Sequence, residues 1–327
     1  VTKIYAVAGT YQITIKGKCI GWVFNNTGDR LKILSVQQWG SLSLGTIQGN
    51  YFYGCSNLNL STVSDVLNLT GTTSLLGCFQ NCTSLSTVGR MNDWNVSGVT
   101  NMGSMFSGAT AFNQPIGNWN VSNVTTMQSM FGAIGAVGIF NQDISLWNVS
   151  SVKNMNNMFL NSRSFNQPIG VWNTVNVNNM NGMFGSTGPS GALAFNQNIG
   201  SWNVSNVTNM ANMFEYSNTF NQNIGSWNVS NVTNMGLMFS NAIAFNQNIG
   251  NWNVSNVTNF VHFMSSKTPA TFSTANLDAI YNGWSSRLVK TPITISFGTA
   301  KYTAASAAGR AILTGAPNNW SIVDGGI

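Results

Sequence analysis

The chain has 327 residues, of which only 6% are charged while 43% are apolar. An average soluble protein carries roughly 25% charged residues, so this chain can bury a core, but under a surface made neutral and polar by Asn, Ser, Thr, Gln and Gly. The net charge of +6 does not point to nucleic acid. Basic residues gather at the two ends (Lys3, Lys16, Lys18, Arg30, Lys32; then Lys267, Arg287, Lys290, Lys301, Arg310), and Glu215 is the one formal charge between Ser164 and Ser266. Phosphate binding needs clustered Lys and Arg, and no apolar run reaches the ~18–20 residues of a membrane span.

Residues 1–39 carry no repeat. Tyr11–Ile15 and Cys19–Phe24 flank Lys16-Gly17-Lys18, a pattern that predicts a β-hairpin serving as an N-terminal cap.

From residue 40 to 270 the chain repeats itself. Trp94, Trp119, Trp147, Trp172, Trp202, Trp227 and Trp252 recur at intervals of 25, 28, 25, 30, 25 and 25. The unit reads Phe-Asn-Gln-x-Ile-x-x-Trp-Asn-Val-Ser-Asn-Val-Thr-Asn-Met-x-x-Met-Phe, and each Phe-Asn-Gln phenylalanine precedes its tryptophan by seven residues. Two degenerate units, with Gly40 and Leu67 at the tryptophan position, bring the total to about nine. Met102, Met105 and Phe106 have i, i+3, i+4 spacing, which predicts one helical or 3-10 turn per unit. Ile116–Val121 alternates behind Pro115 and predicts a short strand. The expected fold is therefore a repeat solenoid of leucine-rich-repeat type, α/β, with one short strand and one helical turn per coil of about 25 residues.

Residues 271–327 form the other end. Leu277, Ile280, Tyr281, Trp284 and Leu288 predict a helix capped by Ser273 or Thr274. Ile293–Phe297 predicts a strand, Thr303–Leu313 a second helix and Trp320–Val323 a final strand, together an α/β C-terminal cap.

The segment Phe195-Asn-Gln-Asn-Ile-Gly-Ser-Trp-Asn-Val-Ser-Asn-Val-Thr-Asn-Met210 resembles the BspA-like leucine-rich repeats of bacterial surface and lipoprotein-associated proteins. Phe52-Tyr-Gly-Cys-Ser-Asn-Leu58 and Phe79-Gln-Asn-Cys-Thr-Ser-Leu85 resemble the commoner form of that repeat. The resemblance covers about 230 residues. It implies adhesins and surface proteins of bacteria, with relatives in protists and in phage and virus particles, and it implies no catalytic residues.

The seven acids (Asp29, Asp65, Asp93, Asp143, Glu215, Asp278, Asp324) are scattered, and acid–base catalysis needs two titratable groups in one pocket. No enzyme activity is expected. His262 is the one histidine, and Cys78-Phe-Gln-Asn-Cys82 lacks the spacing of common zinc pairs, so neither a metal nor a cofactor is expected. Cys55 and Cys82 share a phase and are expected as free, buried thiols. The tryptophans and methionines, repeated once or twice per coil, are expected in the core rather than on a sugar-stacking platform. Asn120, Asn123, Asn148, Asn203, Asn206, Asn228, Asn231, Asn253 and Asn256 open Asn-x-Ser/Thr sequons, but the repeat copies any sequon it contains, and a structural role at the coil corners is favoured.

Two insertions stand out. In most units the next Phe-Asn-Gln phenylalanine comes six positions after the Met-Phe phenylalanine; from Phe131 to Phe140 the step is nine and from Phe184 to Phe195 eleven. The extra residues lie in Gly132–Ile139 and Gly185–Leu193. Insertions at one phase map to one edge, often the binding edge, and the candidate recognition residues are Ile134, Val137, Ile139, Ser186, Thr187, Pro189 and Leu193. The expected function is adhesion or recognition of a protein or glycan at a cell or virion surface, outside the cell; the alternative is a structural protein that self-assembles into a layer, filament or appendage.

Overall fold

The computed structural model describes residues 5–46, 48–189 and 193–327; Lys3 and the inserted residues Ser190, Gly191 and Ala192 fall outside them. Successive repeats lie one above another, joined by single parallel bridges that run Ser74, Asn101, Thr126, Asn154, Asn179, Asn209, Asn234, Asn259. From each bridge, alternate backbone N–H groups donate to the next repeat. Met210, Asn212, Phe214 and Tyr216 donate to the carbonyls of Asn234, Gly236, Met238 and Ser240 at 2.9, 2.9, 3.0 and 2.9 Å. One residue before the bridge the direction reverses. The N–H groups of Thr208, Thr233 and Thr258 donate back to Asn178, Thr208 and Thr233, each at 2.9 Å.

Within a repeat the backbone is a string of turns rather than a strand and a helix. In the unit at Trp202, the N–H of Trp202 reaches the carbonyl of Ile199 (3.1 Å), Val207 reaches Val204 (2.9 Å) and Met213 reaches Met210 (3.3 Å). Apolar residues occupy both ends of these three turns, and all six are buried. The strand expected over Ile116–Val121 is therefore absent: its alternation comes from one turn closing at Trp119 and the next opening at Val121. The Met-x-x-Met group is not helical either. The residue before the second methionine has a positive φ in every unit, as in Ser104 (52°), Ser129 (53°), Asn157 (55°), Gly182 (60°) and Asn212 (58°). A left-handed residue at the third position of a four-residue turn gives type II geometry, which keeps the i, i+3 spacing of a helix while freeing the N–H groups for the next repeat.

Three columns of rings fill the interior. Phe52, Phe79, Phe106 and Phe131 begin one, with centroids 5.5–5.8 Å apart and planes within 9°. The Phe-Asn-Gln phenylalanines form a second, and each lies 3.8–4.0 Å from the first-column ring of the preceding unit. The tryptophans form the third; from Trp119 to Trp252 each indole Nε1 donates to a carbonyl one level back, as from Trp227 to Ile199 (3.2 Å) and Trp252 to Ile224 (3.1 Å), while Trp94 Nε1, at the start of the column, is buried with no partner among the described residues. A buried indole N–H needs a partner, and from Trp119 onward the stack supplies it.

The two ends differ. The N-terminal hairpin is not formed. Instead β1 (Cys19–Ile20) pairs in parallel with β2 (Leu42–Ser43), and Phe24 and Asn26 donate to Tyr51 and Tyr53, both at 2.9 Å. The segment from Cys19 thus joins the same ladder, ahead of residue 40, because its backbone groups match those of the unit above. Tyr11–Ile15 has no bridge and its apolar side chains are exposed.

At the other end, α1 (Thr274–Ser285) begins at Ser273, whose side chain accepts from the N–H of Asn276. It continues the repeat's own contacts: Trp284 donates to Ile249 (3.2 Å), and the Asn276 amide to Asn246 (2.9 Å). β3 (Thr294–Ser296) bridges Phe260 through Ile295 and pairs in parallel with β4 (Ser321–Val323) across α2 (Ala307–Thr314). Lys267, 1% exposed, donates to the carbonyls of Ala242, Ile243 (3.2 Å) and Phe245 (2.6 Å).

Two outcomes test this architecture. A side chain at Gly182 would both strain a left-handed backbone and place its Cβ on Asn157 Oδ1. Gly182→Ala should lower stability by about 1–2 kcal/mol or more, read as a shifted denaturation midpoint at constant m value. Lys267 is buried without a counter-charge, and desolvation pulls its pKa down to about 7. The folded chain therefore binds fewer protons than the unfolded chain between pH 7 and the unfolded lysine pKa near 10.4. Stability should rise with pH through that window, by at most about 1.4 kcal/mol per pH unit, and the rise should be absent in Lys267→Met.

Candidate functional site

The two inserted loops sit on one edge, separated by the repeat that carries Asn161–Arg163. The first loop turns at Ala133–Ala136 (3.0 Å) and then pairs with that middle repeat. Gly138 bridges Ser162, its N–H reaching the carbonyl of Asn161 (3.2 Å), and the N–H of Arg163 reaches the carbonyl of Gly138 (3.1 Å). On the far side, the N–H of Ala194 reaches Arg163 (2.9 Å) and that of Asn161 reaches Gly185 (3.0 Å). The first insertion and the described flanks of the second are thus held on the ladder.

Asn161 joins them. Its Nδ2 donates to Ala133 O in the first loop (3.0 Å) and to Thr187 Oγ1 in the second (3.1 Å), while Oδ1 accepts from Ser186 Oγ (2.7 Å) and the N–H of Thr187 (3.0 Å). An amide has four hydrogen-bonding positions, and this one uses all of them while 3% exposed. Its φ of 59° suits Asn better than a bulkier residue. Sequence reasoning missed Asn161, and the available signal was its place: it lies at the loop phase in the one unit between the two insertions.

The brace sorts the sequence candidates. Ile134 is 67% exposed and Ile139 45%, Thr187 and Pro189 are exposed, and Val137 is half-buried. Ser186 and Leu193 are buried and cannot touch a partner directly. The insertion phase places Ser186 at the surface, but its hydroxyl turns inward and donates to Asn161 Oδ1 and the carbonyl of Gly188. Leu193 turns inward as the chain rejoins the ring column at Phe195.

Each acid is engaged in structure. Asp29 pairs with Lys32 (2.7 Å), Asp93 with Arg90 (3.1 Å) and Asp324 with Arg310 (2.7 Å). Asp65 accepts the N–H groups of Trp39 and Gly40, Asp143 that of Ser145, and Asp278 the N–H and hydroxyl of Thr303 and the hydroxyl of Ser306. Burial pushes the Glu215 carboxyl up, against a hydrogen bond from Asn212. A shallow open depression between residues 66–71 and 93–98 holds one of these carboxylates, Asp93. Cys55, Cys78 and Cys82 are free and buried. Burial pushes the Cys55 thiol up to about 12 and the other two upward as well, the setting of inert rather than nucleophilic thiols. The repeat tryptophans from Trp94 to Trp252 are at most 4% exposed, so they offer no stacking platform.

The sequon asparagines form two exposed columns that differ in how they are held. In the first, from Asn95 to Asn253, Oδ1 accepts the N–H two residues ahead, as at Asn120–Ser122 (3.1 Å) and Asn203–Ser205 (3.0 Å). In the second, Nδ2 donates to a carbonyl one repeat back, as from Asn206 to Val175 and Asn231 to Ser205, both 2.7 Å. Only the first column leaves its amide nitrogen free for chemistry at that atom.

A family profile described as "Mycoplasma protein of unknown function, DUF285" matches residues 46–138, 73–189 and 186–278. The chain belongs to the DUF285 family. No curated protein and no solved structure matches it. The three DUF285 matches together span 46 to 278, which takes in both inserted loops, Asn161 and the asparagine columns. Among the described residues no helix is long and apolar enough to cross a membrane.

Replacing Asn161 tests the brace. Asn161→Ala leaves buried donors and acceptors of both loops unpaired, at about 1–3 kcal/mol for each group left unsatisfied. The variant should lose about 2–4 kcal/mol, and amide exchange should accelerate in residues 132–139 and 186–189 but not around the Trp227 and Trp252 repeats. Uniform exchange would place the loss elsewhere.

Proposed function

We propose that this DUF285 protein is a non-enzymatic solenoid of the leucine-rich-repeat, BspA-like kind that works outside the cell, on a cell or particle surface, as a recognition module. The observation that carries this reading is the Asn161 brace. The repeat does not need the two insertions to continue, yet Asn161 fixes Ala133 in the first and Ser186 and Thr187 in the second, and Ile134, Ile139, Thr187 and Pro189 stand exposed on one edge. Pre-organised loops lose little entropy on binding, and exposed apolar side chains on such an edge are what contact sites offer. The engagement of every acid in structure and the raised thiol pKa values support the absence of catalysis.

A second reading has its own observation. Among the described residues, the repeat beginning at Cys19 has no further strand on its outer side, and Ile20, Val23, Leu31 and Leu34 are exposed there. At the opposite end the ladder runs on through β3 to β4, which is likewise the outermost described strand, with Ser321 and Val323 exposed. An uncovered ladder edge is a template for another chain, which supports self-assembly as the alternative.

The test is to label the protein and apply it to intact bacterial and animal cells. Wild type should bind at least one cell type. Ile134→Lys combined with Ile139→Lys should lose about tenfold or more in affinity, as expected for losing a contact cluster, with an unchanged melting temperature. Equal binding by the variant removes the loops from the function. Concentration-dependent growth of particles in sedimentation, with no cell binding, selects the self-assembly reading.

A further inference from the structure

The face formed by the segments after each tryptophan carries a regular array of hydrogen-bonding groups whose orientation is fixed by the backbone. In the first column the Asn228 Oδ1 accepts from the N–H of Ser230 (3.2 Å). A backbone N–H can only donate, so the oxygen is the atom that faces it and Nδ2 is left outward. In the second column the Asn256 Nδ2 donates to the carbonyl of Ser230 (2.8 Å). A carbonyl can only accept, so here the oxygen is outward. In a third column Thr233 and Thr258 spend their hydroxyl protons on Thr208 O and Thr233 O, both at 3.1 Å, leaving lone pairs and methyl groups exposed.

The face therefore presents a line of amide donors beside two lines of acceptors. The lines repeat at the strand spacing of about 4.8 Å. The first column holds asparagine at seven successive levels from Asn95 to Asn253, a run of about 30 Å. None of the outward atoms has a protein partner among the described residues. Formal charge is sparse: on these three columns Lys153, in the threonine line, is the single ionised side chain. Beside the first column, Leu146 and Val171 are exposed on adjacent repeats.

We propose that this face binds a neutral polysaccharide. Hydroxyl groups donate and accept, so a polyol can satisfy both kinds of line at once. A polymer repeats along one direction, as the columns do, so many weak contacts add within one chain. Each amide is already immobilised by its backbone bond, so little rotamer entropy remains to be lost. The sugar rings' C–H faces find an apolar surface in Leu146 and Val171. A protein partner fits less well, because a protein interface needs a desolvated apolar centre and these columns are polar throughout. The proposal rests on the recognition reading above but uses a different surface from the inserted loops.

The experiment is affinity electrophoresis of the intact chain through gels containing one polymer each: a β-glucan, a dextran, a mannan, a galactan and, as a control, the acidic polymer alginate. Wild type should be retarded by at least one neutral polymer, more strongly as chain length grows, and not by alginate. The blocking variant is Thr208→Lys with Thr258→Lys, two repeats apart, so that the added charges are separated by about 9–10 Å. Both positions belong to the column where Lys153 already stands, so the fold accepts lysine there. It should weaken retardation about tenfold or more at an unchanged melting temperature, while Ile134→Lys with Ile139→Lys should leave it unaltered. Failure of every neutral polymer to retard folded wild type overturns the proposal. So does equal retardation of the blocking variant. A self-association lost in the blocking variant, without polymer binding, would assign the face to a second copy of the chain. Loss in the loop variant alone would return recognition to the inserted edge and leave the earlier reading standing.

Discussion

Everything in this molecule depends on backbone hydrogen bonds made between repeats rather than within them. A repeat of about 25 residues has too few internal partners to satisfy its own peptide groups, and buried peptide groups left unpaired are costly. The ladder solves this by direction. Groups on one side of each bridge donate forward, as from Met210 to Asn234, and the threonine N–H beside the bridge donates backward, as from Thr233 to Thr208. Each repeat is thus completed only by its neighbours, as in other repeat proteins, and the ends need separate solutions.

Those solutions are unequal. At the C-terminal end, α1, β3 and Lys267 imitate the next repeat: Trp284 takes the place of the column tryptophan, Asn276 that of the glutamine, and Lys267 supplies three donors to carbonyls that would otherwise lack them. At the N-terminal end the ladder continues to Cys19 and is covered by no described strand beyond it. The chain thus combines a C-terminal end finished by α1, β3 and the edge strand β4, an N-terminal end finished by β1, one edge with braced loop segments and one face of fixed amides.

The same ladder explains why polar residues are so abundant. Asparagine at the bridge caps the following turn, as Asn209 does for Ala211 (3.0 Å), and the Asn-Gln pair of each unit bonds its counterpart one repeat back, as Gln222 does with Asn196 (2.9 and 3.0 Å). A short amide can accept from one peptide and donate to another without carrying charge. Lys and Glu in these columns would set like charges about 4.8 Å apart, where they repel. Low charge is therefore a consequence of stacking identical units in register, and it leaves the neutral face on which the polysaccharide proposal stands.

The sequence by itself determined which residues face inward. Trp, Ile, Val, Met and Phe recur at fixed phase, and a residue that must pack against its own copy above and below is apolar; Trp202, Met210 and Phe214 could be placed in the core from spacing alone. The shared phase of the two insertions was equally readable. Spacing could not tell a helical turn from a type II turn, because both put i and i+3 on one side; the left-handed backbone at Asn157 or Asn212 decided between them. Nor could it tell a strand at Ile116–Val121 from two successive turns. It read Ser186 and Leu193 as surface and passed over Asn161, since a side chain's role in a brace depends on what lies one repeat above and one below. Those neighbours are about 25 residues away in the chain. Only the tertiary structure sets them within hydrogen-bonding distance, and that distance, not local propensity, fixed the loops, the orientation of each amide and the difference between the two ends.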